Sequence, residues 1–354
     1  MGDRPGRAAM SGADVIARAA ALLGPRAERG VELAPFTTFR IGGPAQLVVR
    51  AQKAEDFAAV HEAVRVTGVD VLVIGQGSNL LIADDGWPGV VVVVGGGDSD
   101  AIDIERTADD EFIVRAGAGV KLPVLARRSV AEGTTGLEWM VGVPGSVGGA
   151  VRMNAGGHGS DIATNIVSAD VVDLADDVGV VRRSSAALGL TYRHSDLAAT
   201  EVVLNASFRC GVGPSAAGEE TLREIVRWRR THQPGGANCG SVFTNPAGDS
   251  AGRLIDAAGL KGSRIGGASV SGKHANFIQA DPGASATDVW ALITNVRARV
   301  YERFGVVLTP EVRTAGFLTE LPVLTTTASP QNVRDEDGAP TPADRPVAES
   351  EHNR

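Results

Sequence analysis

The feature that most constrains this chain is its glycine punctuation. Residues 142–157 hold six glycines and one proline in sixteen positions. Turn geometry alone does not call for so many. Glycine lets backbone N–H groups approach a ligand closely, and successive amides form a concavity that binds anions. Three shorter glycine loops come earlier: Thr38-Phe39-Arg40-Ile41-Gly42-Gly43, Ile74-Gly75-Gln76-Gly77-Ser78-Asn79 and Gly117-Ala118-Gly119. Glycine makes up 45 of the 354 residues, about twice the usual ~7%, and no Gly-X-Y period makes the chain collagen. Four glycine loops before residue 160 point to one extended cofactor, diphosphate included, wrapped by loops from two sub-domains.

The loop at 75–79 follows an apolar strand, as in the opening of a dinucleotide-binding βαβ unit. The details exclude that reading. Position 80 is Leu where a third glycine belongs, and Pro88 arrives before a helix can develop. Two readings stay open for the isolated loop: a phosphate held by its amides with Ser78 and Asn79, or a simple β-turn.

The rest of the chain reads as α+β. Strands are predicted at 47–50, 69–74, 90–94, 112–115, 166–174, 201–209, 275–280 and 306–308. Helices are predicted at 55–66, 122–132, 219–231, 250–258 and 286–304. Residues 1–12 read as a flexible leader. Residues 13–210 read as a first domain of two sub-domains, split near 95–100. The stretch GVGPSAAG at 211–218 reads as a linker, 219–322 as a smaller α+β domain, and 323–354 as a disordered tail with too few large apolar residues to offset ordering.

Charge and cysteine usage exclude several classes. Lys+Arg 34 against Asp+Glu 42 gives −8, which argues against a protein coating nucleic acid, whose counterion release needs clustered cations. Cys210 and Cys239 are far apart and make no CxxC pair, so neither a disulfide framework nor a thiolate metal site is expected. No apolar run approaches the ~20 residues of a membrane span, and no secretory signal opens the chain. The six histidines form no HExxH pair. A metal-free, cytoplasmic enzyme is expected.

The motifs together carry a specific resemblance. Phe39-Arg-Ile-Gly-Gly43, Ile74-Gly-Gln-Gly-Ser-Asn79, Gly142-Val-Pro-Gly-Ser-Val-Gly-Gly149 and Asn154-Ala-Gly156 resemble the FAD-binding half of the UDP-N-acetylenolpyruvoylglucosamine reductases. The likeness continues, in the same order, through Tyr192-Arg193-His-Ser195, Gly240-Ser241-Val-Phe-Thr-Asn245-Pro246 and Pro310-Glu311-Val-Arg313, and covers about residues 18–318. It implies an FAD-binding fold of the vanillyl-alcohol-oxidase (PCMH) type in two sub-domains, followed by a substrate domain. It also implies non-covalent FAD, NADPH as hydride donor, and UDP-N-acetylglucosamine enolpyruvate as substrate, handled by a monomer. The reaction implied passes hydride to C3 of the enolpyruvyl group and a proton to C2.

Cofactor contacts are expected from Arg40, Ile41, Gly42, Gly43, Gly75, Gln76, Gly77, Ser78, Asn79, Gly117, Gly119, Pro144, Gly145, Ser146, Gly148, Gly149, Asn154 and Gly156. Arg193 alone reads as a surface arginine; beside a flavin, its planar guanidinium suits a substrate carboxylate. Ser241 alone reads as a turn-capping serine; the resemblance makes it the proton donor to C2. Glu311 alone reads as a solvated carboxylate; the resemblance pairs it with Arg193. Tyr192, Arg230, Asn245, Lys261 and Lys273 are the expected substrate contacts.

Two departures stand out. Only five residues, 196–200, separate Ser195 from the next predicted strand, so the tyrosine lid of some family members has no counterpart. His158 also stands where many members carry an aromatic residue. Two other readings remain: a flavin oxidase or dehydrogenase of another substrate on the same fold, and a non-enzymatic UDP-sugar-binding protein.

Overall fold

The computed structural model describes residues 11–176 and 179–318. Most of the expected leader and all of the expected tail lie outside them; Ser11 and Gly12 already belong to a helix start. Helix α1 (Gly12–Leu23) is capped by Ser11, whose hydroxyl accepts the Asp14 N–H at 3.2 Å. Strands β1 (Ala27–Glu32) and β2 (Pro44–Ala51), helix α2 (Ala54–Thr67), and strands β3 (Val71–Ile74), β4 (Leu80–Ile82) and β5 (Trp87–Val94) follow. Helix α2 ends where Gly68 turns left-handed at φ 69 and donates its N–H to the Val64 carbonyl at 2.7 Å. The sheet order is β1-β2-β5-β3, with β5 parallel to both neighbours. The continuous valine run of β5 follows from that place: a central parallel strand is covered on both faces, and Val90, Val91 and Val92 are fully buried.

The second layer contains β6 (Ile102–Arg106), β7 (Phe112–Gly117), helices α3 (Leu122–Ala131) and α4 (Val147–Met153), and strands β8 (Ile166–Asp173), β9 (Val180–Ser184) and β10 (Glu201–Val212). Its strands form an antiparallel sheet in the order β9-β8-β10-β7-β6. The third part contains helices α5 (Ser215–His232) and α6 (Ala251–Ala257), the small antiparallel sheet β11 (Arg264–Ile265), β12 (Ala268–Val270) and β13 (Ile278–Ala280), helix α7 (Ala286–Phe304) and strand β14 (Arg313–Ala315). Among the described residues, no helix is long and apolar enough to cross a membrane.

Two expectations are corrected. The stretch 211–218 is not a linker: Gly211 and Val212 end β10, Ser215 begins α5, and only Gly213 and Pro214 connect them. Helix α5 then packs Leu222 and Ile225 into the same core as α3 and the second sheet, so its apolar stripe decides its placement more than the glycines before it do. Residues 306–308 form no strand. Leu308 is buried instead, and its carbonyl accepts the Arg297 Nε–H of α7 at 3.0 Å.

The last part is tied back to the first. Strand β14 pairs in parallel with β4, and Phe39, Ile41 and Leu81 are buried in the same core as helices α6 and α7. Asp84 sits at the N-terminus of α7, accepting the Ala286 and Thr287 N–H groups at 2.7 and 3.0 Å. A carboxylate there satisfies orphan donors and the helix dipole together.

Candidate active site

Where the three parts meet, a cleft of about 970 Å³ opens. From the expected cofactor residues it takes Gly75, Gln76, Gly77, Ser78, Asn79, Pro144, Gly145, Ser146, Gly148, Gly149 and Gly156; Arg193, Ser241 and Glu311 line it too. The loop after β3 runs straight into β4 with no helix, as its proline predicts. None of the backbone N–H groups of Gln76, Gly77, Ser78 and Asn79 is taken by another group among the described residues. Ser146, at the start of α4, is 2% exposed and its hydroxyl has no partner among the described residues. A Cβ on Gly75 would run into that hydroxyl. Free amides, an orphaned buried hydroxyl and missing side chains together make a cradle for an anionic ligand.

Arg193 is held in a strained turn. Thr191 and His194 exchange both backbone hydrogen bonds at 3.1 Å, and Arg193 between them has φ 57, a region L-residues avoid unless their surroundings over-determine it. Its Nε pairs with Glu311 Oε1 at 2.7 Å. Its terminal nitrogens donate to the Asn154 carbonyl at 3.5 Å and the Gly156 carbonyl at 3.2 Å. A guanidinium has five N–H donors, so one remains on each terminal nitrogen.

Glu311 is fixed from two sides: its N–H donates to the Val242 carbonyl at 2.8 Å, and its own carbonyl accepts the Asn79 Nδ2–H at 3.0 Å. Burial pushes its carboxyl pKa up, opposed by Arg193 and then Arg313. Ser241 follows the left-handed Gly240, φ 79. Two residues on, the buried Asn276 clamps Phe243, accepting its N–H at 3.0 Å and donating to its carbonyl at 2.8 Å. Tertiary folding thus brings Arg193, Ser241 and Glu311 into one cleft.

Most other expected residues lie outside the lining. Arg40 donates its N–H to the Thr37 carbonyl at 3.2 Å, Gly42 packs against Ile82 and Leu33, and Gly43 donates its N–H to the Ala83 carbonyl at 2.9 Å; Ile41 is core. Gly117 and Gly119 pack on residues 95–100. Asn154 spends its side chain on Thr191, Asp161 and Ala163, so it holds the Arg193 turn. Gly148 lines the cleft, yet its N–H is committed to the Ala118 carbonyl at 2.9 Å. Tyr192 is exposed beside the Arg193 guanidinium. Asn245 accepts the Ala251 N–H at the start of α6 at 3.1 Å. Lys261 pairs with Asp256 at 2.5 Å, and Lys273 donates to the Arg230 carbonyl at 2.6 Å. Arg230 lines a separate hollow between α3 and α5.

The cleft also holds residues the motifs did not single out: Arg152, Trp228, Arg229 and Gln233. Arg229 donates to the Gln233 side chain at 2.8 Å. His158 meets Trp228 edge-on at 5.1 Å, and Trp228 stacks on His232 at 4.6 Å. Burial first, and Arg229 second, push the His158 pKa down.

Residues 45–181 match the sequence family described as FAD binding domain, and residues 232–315 match the UDP-N-acetylenolpyruvoylglucosamine reductase C-terminal domain. The UDP-N-acetylenolpyruvoylglucosamine reductase of Synechococcus sp. (strain WH7803) is 42% identical over 296 residues, which is 82% of this chain and 94% of that one. This chain belongs to the UDP-N-acetylenolpyruvoylglucosamine reductase family. The reductase of Heliobacterium modesticaldum (strain ATCC 51547 / Ice1) is 45% identical over 284 residues, covering 79% of this chain and 88% of its own. The crystal structure of the reductase from Thermus caldophilus superposes with a TM-score of 0.68 at 33% identity, covering 82% of this chain and 99% of that one. Membership of the reductase family bears out the α+β fold with an FAD-binding half, the flavin-dependent oxidoreductase class and FAD as cofactor. The free amides at 76–79 and the unpartnered Ser146 hydroxyl fit that group.

Proposed function

We propose that this chain, as a cytoplasmic monomer, reduces the enolpyruvyl group of UDP-N-acetylglucosamine enolpyruvate, giving UDP-N-acetylmuramate for peptidoglycan synthesis. The observation that carries the reading is the Arg193–Glu311 pair in one cleft with Ser241. FAD held by the glycine loops and reduced by NADPH supplies the hydride. Everything else falls to side chains of this protein. Arg193, with Nε fixed by Glu311, offers one free N–H on each terminal nitrogen to the substrate carboxylate. That carboxylate gains electron density as C3 is reduced, and a charge-assisted pair of donors stabilises it most at that moment. Glu311 keeps the fork oriented, so little reorganisation accompanies the charge movement.

Ser241 supplies the proton. A serine hydroxyl is a weak acid, but C2 turns strongly basic once C3 has taken hydride, and a hydroxyl within ~3 Å can deliver to it. Arg229 and Gln233, both lining the cleft, are the cationic and polar partners we assign to the diphosphate, whereas Arg230 was the substrate contact expected from this helix. Tyr192, Asn245, Lys261 and Lys273 are assigned to the outer part of the substrate. His158 and Trp228, in edge contact on the cleft wall, are assigned to enclosing the substrate in place of a tyrosine lid. We keep the division into an FAD-binding and a substrate-binding domain, with α5 joining the former.

The direct test is a visible spectrum followed by a coupled assay. The purified protein should show flavin absorbance and oxidise NADPH only when UDP-N-acetylglucosamine enolpyruvate is added. A flavoprotein that ignores this substrate would favour an oxidase of another substrate; a colourless protein that FAD does not reconstitute would exclude the enzyme reading.

A further inference from the structure

Arg152, in the last turn of α4, lines the cleft and makes no close ion pair among the described residues. One terminal nitrogen donates to the Ala198 carbonyl at 2.7 Å; the other, Nη1, is buried and has no partner among the described residues. Glu201 is the nearest opposing charge, yet its carboxylate is already paired with Arg183 and accepts the Ala198 N–H at 2.6 Å. Arg313, which faces Arg152, also faces Glu311, itself paired with Arg193. Among the described residues, the two carboxylates whose charge reaches Arg152 or Arg313, Glu201 and Glu311, are thus each ion-paired with another arginine, Arg183 and Arg193. A partly buried cation with an orphaned N–H is costly to keep. Burial and Arg313 accordingly push the Arg152 pKa down. The fold uses one terminal nitrogen of this residue on Ala198 and its carbonyl on Ser195, whose hydroxyl donates to it at 2.7 Å, and neither contact engages Nη1.

We infer that Arg152 is a ligand for negative charge on the bound cofactor. The inference rests on the flavin reading above. FAD carries such charge in two places: on its diphosphate in either redox state, and on the pyrimidine edge of its ring once reduced. Arg152→Met keeps the apolar stem and removes the charge; Arg152→Lys keeps the charge. The experiment measures FAD affinity at two salt concentrations, the midpoint potential of the holoenzyme, and the melting temperature of each apo-protein.

If the diphosphate is the partner, Arg152→Met weakens FAD binding on the order of ten- to a hundredfold, the loss of one charge-assisted hydrogen bond. The salt dependence then flattens and the potential stays put. If the ring edge is the partner, oxidised FAD binds as before but the reduced form loosens, and each tenfold of that loosening lowers the potential by about 30 mV. Arg152→Lys recovers part of either effect. Wild-type affinity and potential in Arg152→Met, with the apo melting temperature changed or not, would overturn the assignment. Should Arg152→Met fail to fold, Arg152→Gln is read by the same criteria. Absence of FAD binding by the wild type would instead defeat the flavin reading on which this one depends.

Discussion

Two sets of glycine loops, indistinguishable by composition, do opposite work. In the first set the missing side chain makes room for the protein's own backbone. A Cβ on Gly43 would overlap the Asp84 carbonyl, and one on Gly117 the Ser99 carbonyl; on Gly119 it would lie 2.6 Å from the Gly95 Cα. Gly148 belongs here too, with a Cβ 2.9 Å from that of Ala118. In the second set the room faces the cleft. A Cβ on Gly149 would come no closer than 3.8 Å to the Ser146 hydroxyl, and one on Gly157 no closer than 3.4 Å to Val143. A glycine tells that something approaches closely; only the fold tells whether it is chain or ligand.

The contrast can be broken by substitution. The largest effect is expected at a packing glycine: Gly43→Ala should destabilise the apo-protein by about 3 kcal/mol or more, because a backbone carbonyl cannot step aside. Gly149→Ala should leave apo stability unchanged or slightly raised, as alanine is the better helix residue, yet weaken FAD binding at least about tenfold. Chemical denaturation of the apo-proteins and an FAD titration separate the two. If Gly43→Ala melts like the wild type, or Gly149→Ala binds FAD normally, the sorting is wrong.

Next comes Arg193. Arg193→Lys keeps a charge but not the two-pronged geometry, so turnover should fall on the order of a hundredfold, comparable to losing an oxyanion donor, while FAD stays bound. Equal losses in flavin reduction by NADPH and in reoxidation by substrate would point to a misplaced cofactor instead.

The smallest effect is a pH dependence. Burial raises the Glu311 pKa, so the folded protein holds that proton more tightly than the unfolded chain. Its contribution to stability is therefore greatest in acid and is lost as pH rises from the ordinary carboxylate value through the raised one. Activity moves the other way, because only ionised Glu311 fixes Arg193. The acid limb of kcat/KM should lie above the usual carboxylate range, and Glu311→Gln should abolish it. An acid limb unchanged in Glu311→Gln would assign it to another group.

Much of the site was legible in the sequence because motifs survive as contiguous strings. The loop at 75–79, the approach to Ser241 and the Pro310-Glu311 turn each carry their own backbone instructions. Side chains that reach the cleft from regular elements were harder to see. Arg229 lies four residues beyond buried Ile225 and seven beyond Leu222, so helical periodicity places it on the inner face, while the expected Arg230 falls outward. The packing roles of Asn154 and Gly148 were hidden for another reason: their partners, Thr191 and Ala118, come from distant loops. The 211–218 boundary failed because four of its residues already begin a helix whose burial depends on tertiary contacts.

The central claim is that hydride delivery and proton delivery are separate tasks, the second belonging to Ser241. Stopped-flow absorbance of the Ser241→Ala holoenzyme tests it most directly, because the two half-reactions are read apart. Flavin bleaching by NADPH should proceed at the wild-type rate, since no C2 carbon is involved. Reoxidation by UDP-N-acetylglucosamine enolpyruvate should slow by ~10²–10⁴-fold, the usual worth of a positioned general acid, and Ser241→Cys should recover part of that loss. Reoxidation of Ser241→Ala at near the wild-type rate would contradict the account.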